Sequence, residues 1–344
     1  MTTIRTPGTL TKQAATGSLI GLALGDALGF PTEFDDVPQI LAKLGPWRDM
    51  PLPRPAFVTD DTQMTLAVGR AIRSATDSGP LDPARLTAPL RREFTAWYHS
   101  PENNRAPGRT CLLACQLLDD ERLPWTEASQ MGSKGCGANM RVAPLGLVSG
   151  LSDQQRAGAA QLQAALTHGH PTALTASDLT SHAVHLLTRG VAPGDLVARL
   201  RAYAYENRGR YHERWLGRLW SRSQDASPHA YIARGWDDCL DALARLEAVL
   251  RAPDPEVDPC VATGDGWVAE EALATALHCY LLFPDEPLTA LRRAACTQGD
   301  SDSIACLTGA LVGAAHGGAA WPKEWSERIE YHSDLMSLGA LWDS

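Results

Sequence analysis

The chain has 344 residues, which is long enough for one large domain or two of ordinary size. Its hydrophobic fraction of 44% and charged fraction of 21% are typical of a folded globular protein and argue against a disordered chain. A formal net charge of -9 argues against extended nucleic-acid binding, because such binding depends on clustered lysine and arginine.

The eight cysteines form no Cys-x-x-Cys pair and no repeated His/Cys spacing. Neither a zinc knuckle nor a disulfide scaffold is therefore predicted, and we interpret the cysteines as reduced thiols. Residues 1–13 lack the apolar stretch of a secretory signal, and no run of about 18 apolar residues occurs anywhere in the sequence. These features predict a cytoplasmic protein without a membrane span.

Two series of glycines are each spaced by four residues, one near each end of the chain. On a helix this spacing places the glycines on one face, where the missing side chains let another backbone approach closely. A membrane dimer would use the same spacing, but neither apolar stretch is long enough to span a bilayer. We therefore expect two core helices of a soluble bundle that share one tightly packed centre. The two series are Gly17, Gly21, Gly25 and Gly29, and Gly309, Gly313 and Gly317.

A first acidic cluster, Thr59-Asp60-Asp61-Thr62, lies just before the run MTLAVGRAI, which has helical character. The two acids therefore fall in the first turn of a predicted helix. One interpretation is that Thr59 or Asp60 caps this helix while the second acid complements its dipole. The other is that both acids bind a ligand.

A glycine-containing loop, Ser133-Lys134-Gly135-Cys136-Gly137, precedes a short helical segment. Such a loop can turn backbone N–H groups toward a phosphate. It matches neither the Walker pattern nor Gly-x-Gly-x-x-Gly. On its own the loop favours a plain turn over a phosphate-binding site.

The middle of the chain consists of long segments with helical periodicity, separated by Gly, Pro or Asp. No segment shows the alternation rich in Val, Ile and Thr that marks a sheet. The pattern predicts an all-α fold in one compact domain over residues 1–344, with 252–260 as a surface loop. The clearest predicted helices are 178–190, 194–208, 237–252 and 268–283.

A second acidic cluster, Gly299-Asp300-Ser301-Asp302-Ser303, directly precedes the helix that carries the second glycine series. Gly299 can adopt a backbone conformation that other residues avoid, which would place both acids in the turn before the helix. Two acid pairs at two helix starts are harder to explain by capping alone and favour a metal site. Oxygen ligands of this kind suit magnesium, whereas the Gly and Glu that a calcium EF-hand loop requires are replaced by Ala305 and Leu311.

Five motifs, taken in chain order, resemble the ADP-ribosylglycohydrolase family. They cover the chain from about residue 15 to residue 320. The two aspartate motifs with their hydroxyl partners are the most diagnostic. The motifs are Gly25-Asp26-Ala27-Leu28-Gly29 with Glu33, Thr59-Asp60-Asp61-Thr62, GCGANMRVAPLGL (135–147), Thr167-His168 and GDSDSIACLTGALVGAAHG (299–317).

The resemblance implies an orthogonal all-helical bundle with a central site for two Mg2+ ions, with Mn2+ as a possible substitute. It also implies that Glu33 lies on a mobile loop over the site, and that Asp60, Asp61, Asp302 and Glu33 supply the catalytic carboxylates. The implied metal ligands are Thr59, Asp60, Asp61, Asp300, Asp302 and Ser303.

The same resemblance implies that residues 133–137 cradle ADP-ribose. Two departures from the family pattern stand in these motifs. Cys136 replaces an asparagine that relatives often carry, which removes an amide near the expected ligand, and Ser303 stands where threonine is frequent. The implied substrate-binding residues are Ser133, Gly135, Cys136, Gly137, Met140 and His168.

The predicted function is magnesium-dependent hydrolysis of the glycosidic bond between ADP-ribose and a modified acceptor, with arginine on a protein as the first candidate. Alternatives are serine-linked or nucleic-acid-linked ADP-ribose, another ADP-ribosylated small molecule, a non-catalytic ADP-ribose-binding regulator, and a magnesium phosphohydrolase. Asp26 is a candidate for orienting a ligand from behind the site or for a structural role. Trp47, Trp97 and Trp125 could stack on an adenine, although most tryptophans of a helical protein lie in its core.

Overall fold

The computed structural model describes residues 12–77 and 79–343, and every regular element in this part of the chain is a helix. The β-type pairings among these residues are isolated bridges. The predicted all-α fold is therefore confirmed. Residues 1–11, which carry most of the segment that we interpreted as lacking a secretory signal, lie outside the described residues.

The described part of the chain contains eighteen α-helices, joined by loops and short 3-10 turns. In chain order they are α1 (Ala14–Gly29), α2 (Val37–Leu44), α3 (Asp60–Thr76), α4 (Pro83–Tyr98), α5 (Arg109–Leu118), α6 (Trp125–Ala128), α7 (Ala143–Leu147), α8 (Asp153–Ala165), α9 (Pro171–Thr188), α10 (Pro193–Asn207), α11 (Glu213–Leu216), α12 (Pro228–Val249), α13 (Cys260–Thr263), α14 (Ala269–Leu282), α15 (Pro287–Ala295), α16 (Ser301–His316), α17 (Lys323–Arg328) and α18 (His332–Trp342).

The predicted helices agree with α10 and α14 to within one residue at each end, whereas α9 and α12 begin earlier than predicted. Both of these helices carry proline at their first position. Proline is favoured there because the first N–H groups of a helix need no partner within the helix. Ser227 caps α12 by accepting a hydrogen bond from the backbone of Ala230. These prolines therefore start helices, in contrast to the prediction that proline separates them.

Helices α1 and α16 run antiparallel and pack together along their glycine faces, which we call the glycine seam. A Cβ atom added to Gly21 would overlap the carbonyl oxygen of Gly309, and one added to Gly309 would overlap the carbonyl oxygen of Gly21. The Ser18 hydroxyl donates across the seam to the carbonyl of Ala310 (2.9 Å). The close packing predicted from the two glycine series is confirmed.

The glycine seam leads to a stability prediction. Gly309→Ala should destabilise the protein by about 1–3 kcal/mol or more, because the new methyl group forces two backbones apart. Gly194→Ala is the matched control, since Gly194 lies on α10 with nothing within 4 Å of an added Cβ. Alanine should be neutral there or stabilise by up to about 1 kcal/mol. Urea unfolding of both variants measures the difference, and equal free energies of unfolding would contradict close packing at the seam.

The antiparallel seam also brings helix ends together. The last turn of α1 lies beside the first turn of α16, because Gly29 faces the backbone of Asp302. Asp26, one turn earlier on α1, contacts the residues that begin α3. The starts of α3 and α16, where the two acidic clusters lie, therefore meet at one end of α1.

The helices enclose a hydrophobic core that extends from α1 to α18. Its largest fully buried side chains include Trp236, Tyr231, Tyr280 and Phe94. None of the helices in the described ranges combines the length and the apolar character needed to cross a membrane.

Candidate active site

The first acidic cluster is fixed to α1 by Asp26, whose side chain is fully buried. Its carboxylate accepts hydrogen bonds from the backbone and hydroxyl of Thr59 (3.0 and 2.9 Å) and from the backbone and hydroxyl of Thr62 (3.0 and 2.5 Å). Thr59 is the N-cap of α3 and accepts a hydrogen bond from the backbone of Asp61 (3.3 Å). Threonine therefore caps the helix, so the carboxylates of Asp60 and Asp61 are not needed for that purpose.

Asp60 and Asp61 sit in different surroundings at the start of α3. The Oδ2 atom of Asp60 accepts a hydrogen bond from the backbone of Gly108 (3.1 Å). The Oδ1 atom of Asp61 is buried and has no hydrogen-bond partner among the described residues. An unsatisfied buried carboxylate oxygen is costly, and a bound cation is one way to satisfy it.

The second acidic cluster begins with Gly299, which has a φ of +83°. This left-handed conformation favours glycine, and an added Cβ would overlap the carbonyl oxygen of Asp265. Asp300 is the N-cap of α16 but makes no capping bond with its side chain, whereas Asp302 accepts a hydrogen bond from the backbone of Ser303 (2.9 Å). The predicted special conformation at Gly299 is confirmed.

Glu33 joins the second cluster from the turn that follows α1. One carboxylate oxygen from each of Glu33, Asp300 and Asp302 lies within 4.8 Å of the others, in a group that could hold a metal ion. Asp300 and Asp302 are buried, while Glu33 is only half-buried. Glu33 is therefore the member of this group with the most access to solvent.

The two acidic clusters act on each other electrostatically. Burial and the charge of Asp302 together raise the pKa of Asp60 to about 7, although the hydrogen bond from Gly108 acts in the opposite direction. Burial and the charge of Asp302 likewise raise the pKa of Asp61 well above its usual range, and they raise the pKa of Glu33 to about 9. Carboxyl groups this close cannot all ionise without a counter-charge. The site is thus an acidic pocket that a cation would stabilise.

The loop 133–137 pairs with the segment that leads into α14. The backbone N–H of Cys136 donates to the carbonyl of Trp267 (3.1 Å), and the backbone N–H of Ala269 donates to the carbonyl of Lys134 (2.9 Å). The Lys134 ammonium forms an ion pair with Glu270 at the start of α14. The loop is thereby held in place, and the N–H of Cys136 is not free to bind a phosphate.

The remaining residues predicted to bind substrate differ in exposure. Ser133 shares a hydrogen bond with Thr110 between their hydroxyls (2.9 Å) at the edge of the loop. His168 lies behind the loop, with Nε2 3.5 Å from where a Cβ of Gly135 would stand. Met140 belongs to the hydrophobic core and is only 3% exposed. Contact between Met140 and substrate remains a prediction, as do the other site assignments.

The thiol of Cys136 faces the acidic pocket and is buried. Burial and the charges of Asp300 and Asp61 raise its pKa well above the usual range. The reactive form of cysteine is the thiolate, which is suppressed here. The environment therefore disfavours Cys136 as a nucleophile.

A pair of exposed aromatic rings lies next to Glu33 and the loop 133–137. Phe34 stacks on Trp267, with ring centroids 5.6 Å apart and planes 16° from parallel. The two residues are 68% and 42% exposed, whereas Trp47 and Trp97, which we had considered for stacking, are 6% and 5% exposed and belong to the core. Trp267 follows two positive-φ glycines, Gly264 and Gly266, and this loop signature could have drawn attention to it.

Comparison with known proteins decides the family. The sequence pattern of the ADP-ribosylglycohydrolases matches residues 7–344. The chain belongs to the ADP-ribosylglycohydrolase family. The resemblance drawn from the five motifs is thereby confirmed, and the protein is a hydrolytic enzyme.

Individual relatives of this ADP-ribosylglycohydrolase are distant but match over most of their length. An ADP-ribosyl-[dinitrogen reductase] glycohydrolase of Rhodospirillum rubrum is 26% identical over 321 residues, which are 92% of this chain and 90% of the relative. An ADP-ribosylhydrolase of Mus musculus is 26% identical and matches 91% of this chain and 86% of its own. An ADP-ribosylarginine hydrolase of Serratia proteamaculans is 24% identical, with 94% and 77% matched.

The fold agrees with that of a solved structure, an "ADP-ribosylglycohydrolase-related protein complex". The two chains superimpose with a TM-score of 0.64 at 22% identity, and the match covers 96% of each chain. The two proteins therefore share the same arrangement of helices.

Proposed function

We propose that this ADP-ribosylglycohydrolase uses magnesium to hydrolyse the glycosidic bond between ADP-ribose and an acceptor. The first candidate for its substrate is ADP-ribosyl-arginine on protein. The observation that carries the proposal is the acidic pocket in which α3 and α16 both begin. The relative from Serratia proteamaculans, an ADP-ribosylarginine hydrolase, supports the choice of arginine. We further propose that residues 1–344 act as a single domain.

A magnesium ion fits the chemistry of this pocket. The side chains proposed as ligands offer oxygen atoms only, which hard cations prefer, and the unsatisfied Oδ1 of Asp61 is a ready ligand atom. When bound, the metal would act as a Lewis acid that orients the ribose hydroxyls and supports activation of water. Two ions are proposed, and Mn2+ could replace Mg2+. The residues proposed to hold them are Thr59, Asp60, Asp61, Asp300, Asp302 and Ser303.

Cleavage of a glycosidic bond also needs proton transfer at the leaving group and at the attacking water. Asp60, Asp61 and Asp302 are buried, so exchange of protons with solvent is easiest at Glu33. A pKa raised to about 9 keeps Glu33 protonated at neutral pH in the metal-free pocket. We propose Glu33 as the group that transfers a proton during the reaction, with the three aspartates fixing the metal and the sugar.

The loop 133–137 and His168 are proposed to hold the ADP-ribose. Gly135 and Gly137 let the loop pack closely against the buried imidazole of His168, since an added Cβ at either position would lie within 3.5 Å of the ring. The departure at Cys136 places a buried thiol where relatives often carry an amide. We propose that Cys136 contacts the ligand through its side chain, because its backbone N–H is already bonded.

The acceptor is tested by incubating the enzyme with and without Mg2+ on ADP-ribose linked to arginine, to serine and to a nucleobase, and measuring free ADP-ribose. We expect release from the arginine adduct that is faster than from the other two and is lost with a chelator. Faster release from another adduct would reassign the acceptor. Bound ADP-ribose without release from any adduct would favour a binding protein, and release of phosphate or nucleotide would favour a phosphohydrolase.

A further inference from the structure

Arg141 places a fully buried guanidinium beside the histidine that backs the loop 133–137. Its Nε donates to the side chain of Gln163 (2.9 Å), and its Nη2 donates to the carbonyl of Gln163 (2.9 Å) and to the hydroxyl of Thr167 (2.8 Å). The ring of Phe94 lies 4.3 Å from its Cζ atom. These partners are all neutral and fix the direction of the guanidinium, while its charge lowers the pKa of the buried Asp60.

The hydroxyl of Thr167 links Arg141 to His168 by hydrogen bonds. A guanidinium can only donate, so the hydroxyl accepts from Arg141 and has one proton left to give. Two acceptors are within reach of it, namely Nδ1 of His168 at 2.8 Å and the carbonyl of Ala164 at 3.3 Å. That carbonyl already accepts the backbone N–H groups of Thr167 (3.0 Å) and His168 (2.8 Å). The hydroxyl therefore donates to Nδ1.

A neutral imidazole that accepts at Nδ1 carries its proton on Nε2. Burial and the charge of Arg141 lower the pKa of His168 to about 3, which keeps the ring neutral at physiological pH. Its Nε2 atom lies 3.5 Å from where a Cβ of Gly135 would stand and 3.4 Å from that of Gly137. The protonated nitrogen, Nε2, is therefore the one that lies next to the loop 133–137.

We propose that Arg141, acting through Thr167, fixes His168 as the Nε2–H tautomer, so that His168 donates a hydrogen bond to a phosphate-type oxygen of a ligand in the loop 133–137. Arg141 and Thr167 are positioning residues, and His168 is the group that touches the ligand. The identity of that ligand as ADP-ribose rests on the proposed function. The tautomer depends only on the hydrogen bonds around Thr167.

The tautomer is measured in the full chain by 15N NMR of the histidine rings at pH 7, with the His168 signals assigned by their loss in His168→Asn. The Nε2 atom should show the shift of a protonated nitrogen and the Nδ1 atom that of a hydrogen-bond acceptor. A His168 ring protonated on Nδ1 in the wild-type protein would overturn the proposal.

Thr167→Val removes the hydroxyl while nearly conserving side-chain volume. We expect a mixture of His168 tautomers, an ADP-ribose Kd raised about tenfold, and a KM raised by a similar factor with a smaller change in kcat. Thr175→Val is the matched control, because the buried Thr175 donates to the carbonyl of Pro171 (3.1 Å) on α9. It should change neither tautomer nor affinity.

The outcomes separate this proposal from the proposed function. An unchanged tautomer and affinity in Thr167→Val would overturn the positioning role. A wild-type protein with the Nε2–H ring that fails to bind ADP-ribose would support the relay from Arg141 to His168 and contradict the proposed function. Arg141→Lys serves as a second variant, because a lysine retains the charge but cannot reproduce the forked hydrogen bonds.

Discussion

Replacing Asp302 by asparagine is expected to reduce turnover by about a thousandfold or more and to abolish stabilisation by magnesium. Asp302 lies at the centre of the acidic pocket, since its charge raises the pKa of Asp60, Asp61 and Glu33. The amide keeps the shape of the side chain but removes the negative charge that a metal ligand needs. Steady-state release of ADP-ribose and thermal unfolding with and without Mg2+ measure the two effects.

The same substitution should leave the metal-free protein as stable as the wild type or more stable, because it removes one of several repelling carboxylates. Asp178→Asn is the matched control. Asp178 is also fully buried, but it lies on α9, where Gln161 and Tyr203 donate to it (2.9 and 2.8 Å). That variant should lose some stability and keep both turnover and the response to Mg2+. Full turnover in Asp302→Asn would contradict the assigned site.

Removing the metal should make stability depend on pH in a direction opposite to that of ordinary acidic residues. Burial and mutual repulsion raise the pKa of Asp26 and Asp60 to about 7 and that of Glu33 to about 9. An acid whose pKa is higher in the folded state stabilises the fold below its unfolded pKa, and this stability is lost as pH rises through the folded pKa. The carboxylates therefore destabilise the metal-free fold progressively between about pH 4 and pH 9.

Buried histidines also affect the stability of the metal-free protein, and they do so at acidic pH. Burial lowers the pKa of His168 and His182 to about 3 and that of His278 to about 4. Their contribution to stability is present above the unfolded pKa of about 6.5 and is lost as pH falls. The effect of the acidic pocket is therefore best isolated between pH 6.5 and 9.

In that window we expect the thermal midpoint of the metal-free protein to fall by on the order of 5–10 °C, and saturating Mg2+ to remove most of this decrease. Metal binding should release protons, because it requires ionised carboxylates. Thermal scans across pH with EDTA or Mg2+ measure the first effect, and calorimetry in buffers of different ionisation enthalpy measures the second. A thermal midpoint that stays constant in EDTA from pH 6.5 to 9 would contradict the raised pKa values of the pocket carboxylates.

Sequence patterns predicted the parts of the site that depend on local structure. The two acidic clusters each open a helix because Thr59 and Asp300 occupy N-cap positions, and the glycine seam follows from a spacing that fits one helical face. Gly299 was expected to adopt an unusual conformation because only glycine does so without strain. In each case the signal lies in residues that are close together in the sequence.

Other features depend on contacts between distant segments, which periodicity does not encode. The stacking of Phe34 on Trp267 joins a turn near α1 to the approach to α14. The burial of Trp47 and Trp97 is set by the helices packed around them. Arg141 lies within the motif 135–147, but its relation to His168 depends on Thr167, in the turn that follows α8. Such relations emerge only when the helices are assembled.

The glycine seam also constrains the order in which the enzyme can fold. The hydrogen bond from Ser18 to Ala310 spans 292 residues of sequence. Contacts this distant require most of the intervening chain to be ordered first, because closing so long a loop is entropically unfavourable. The acidic pocket, which straddles the seam, should therefore form in one of the last steps of folding. A chain stalled before α16 would expose the glycine face of α1 and hold only Thr59, Asp60 and Asp61 of the proposed metal ligands. Binding of the metal would therefore indicate that folding is complete.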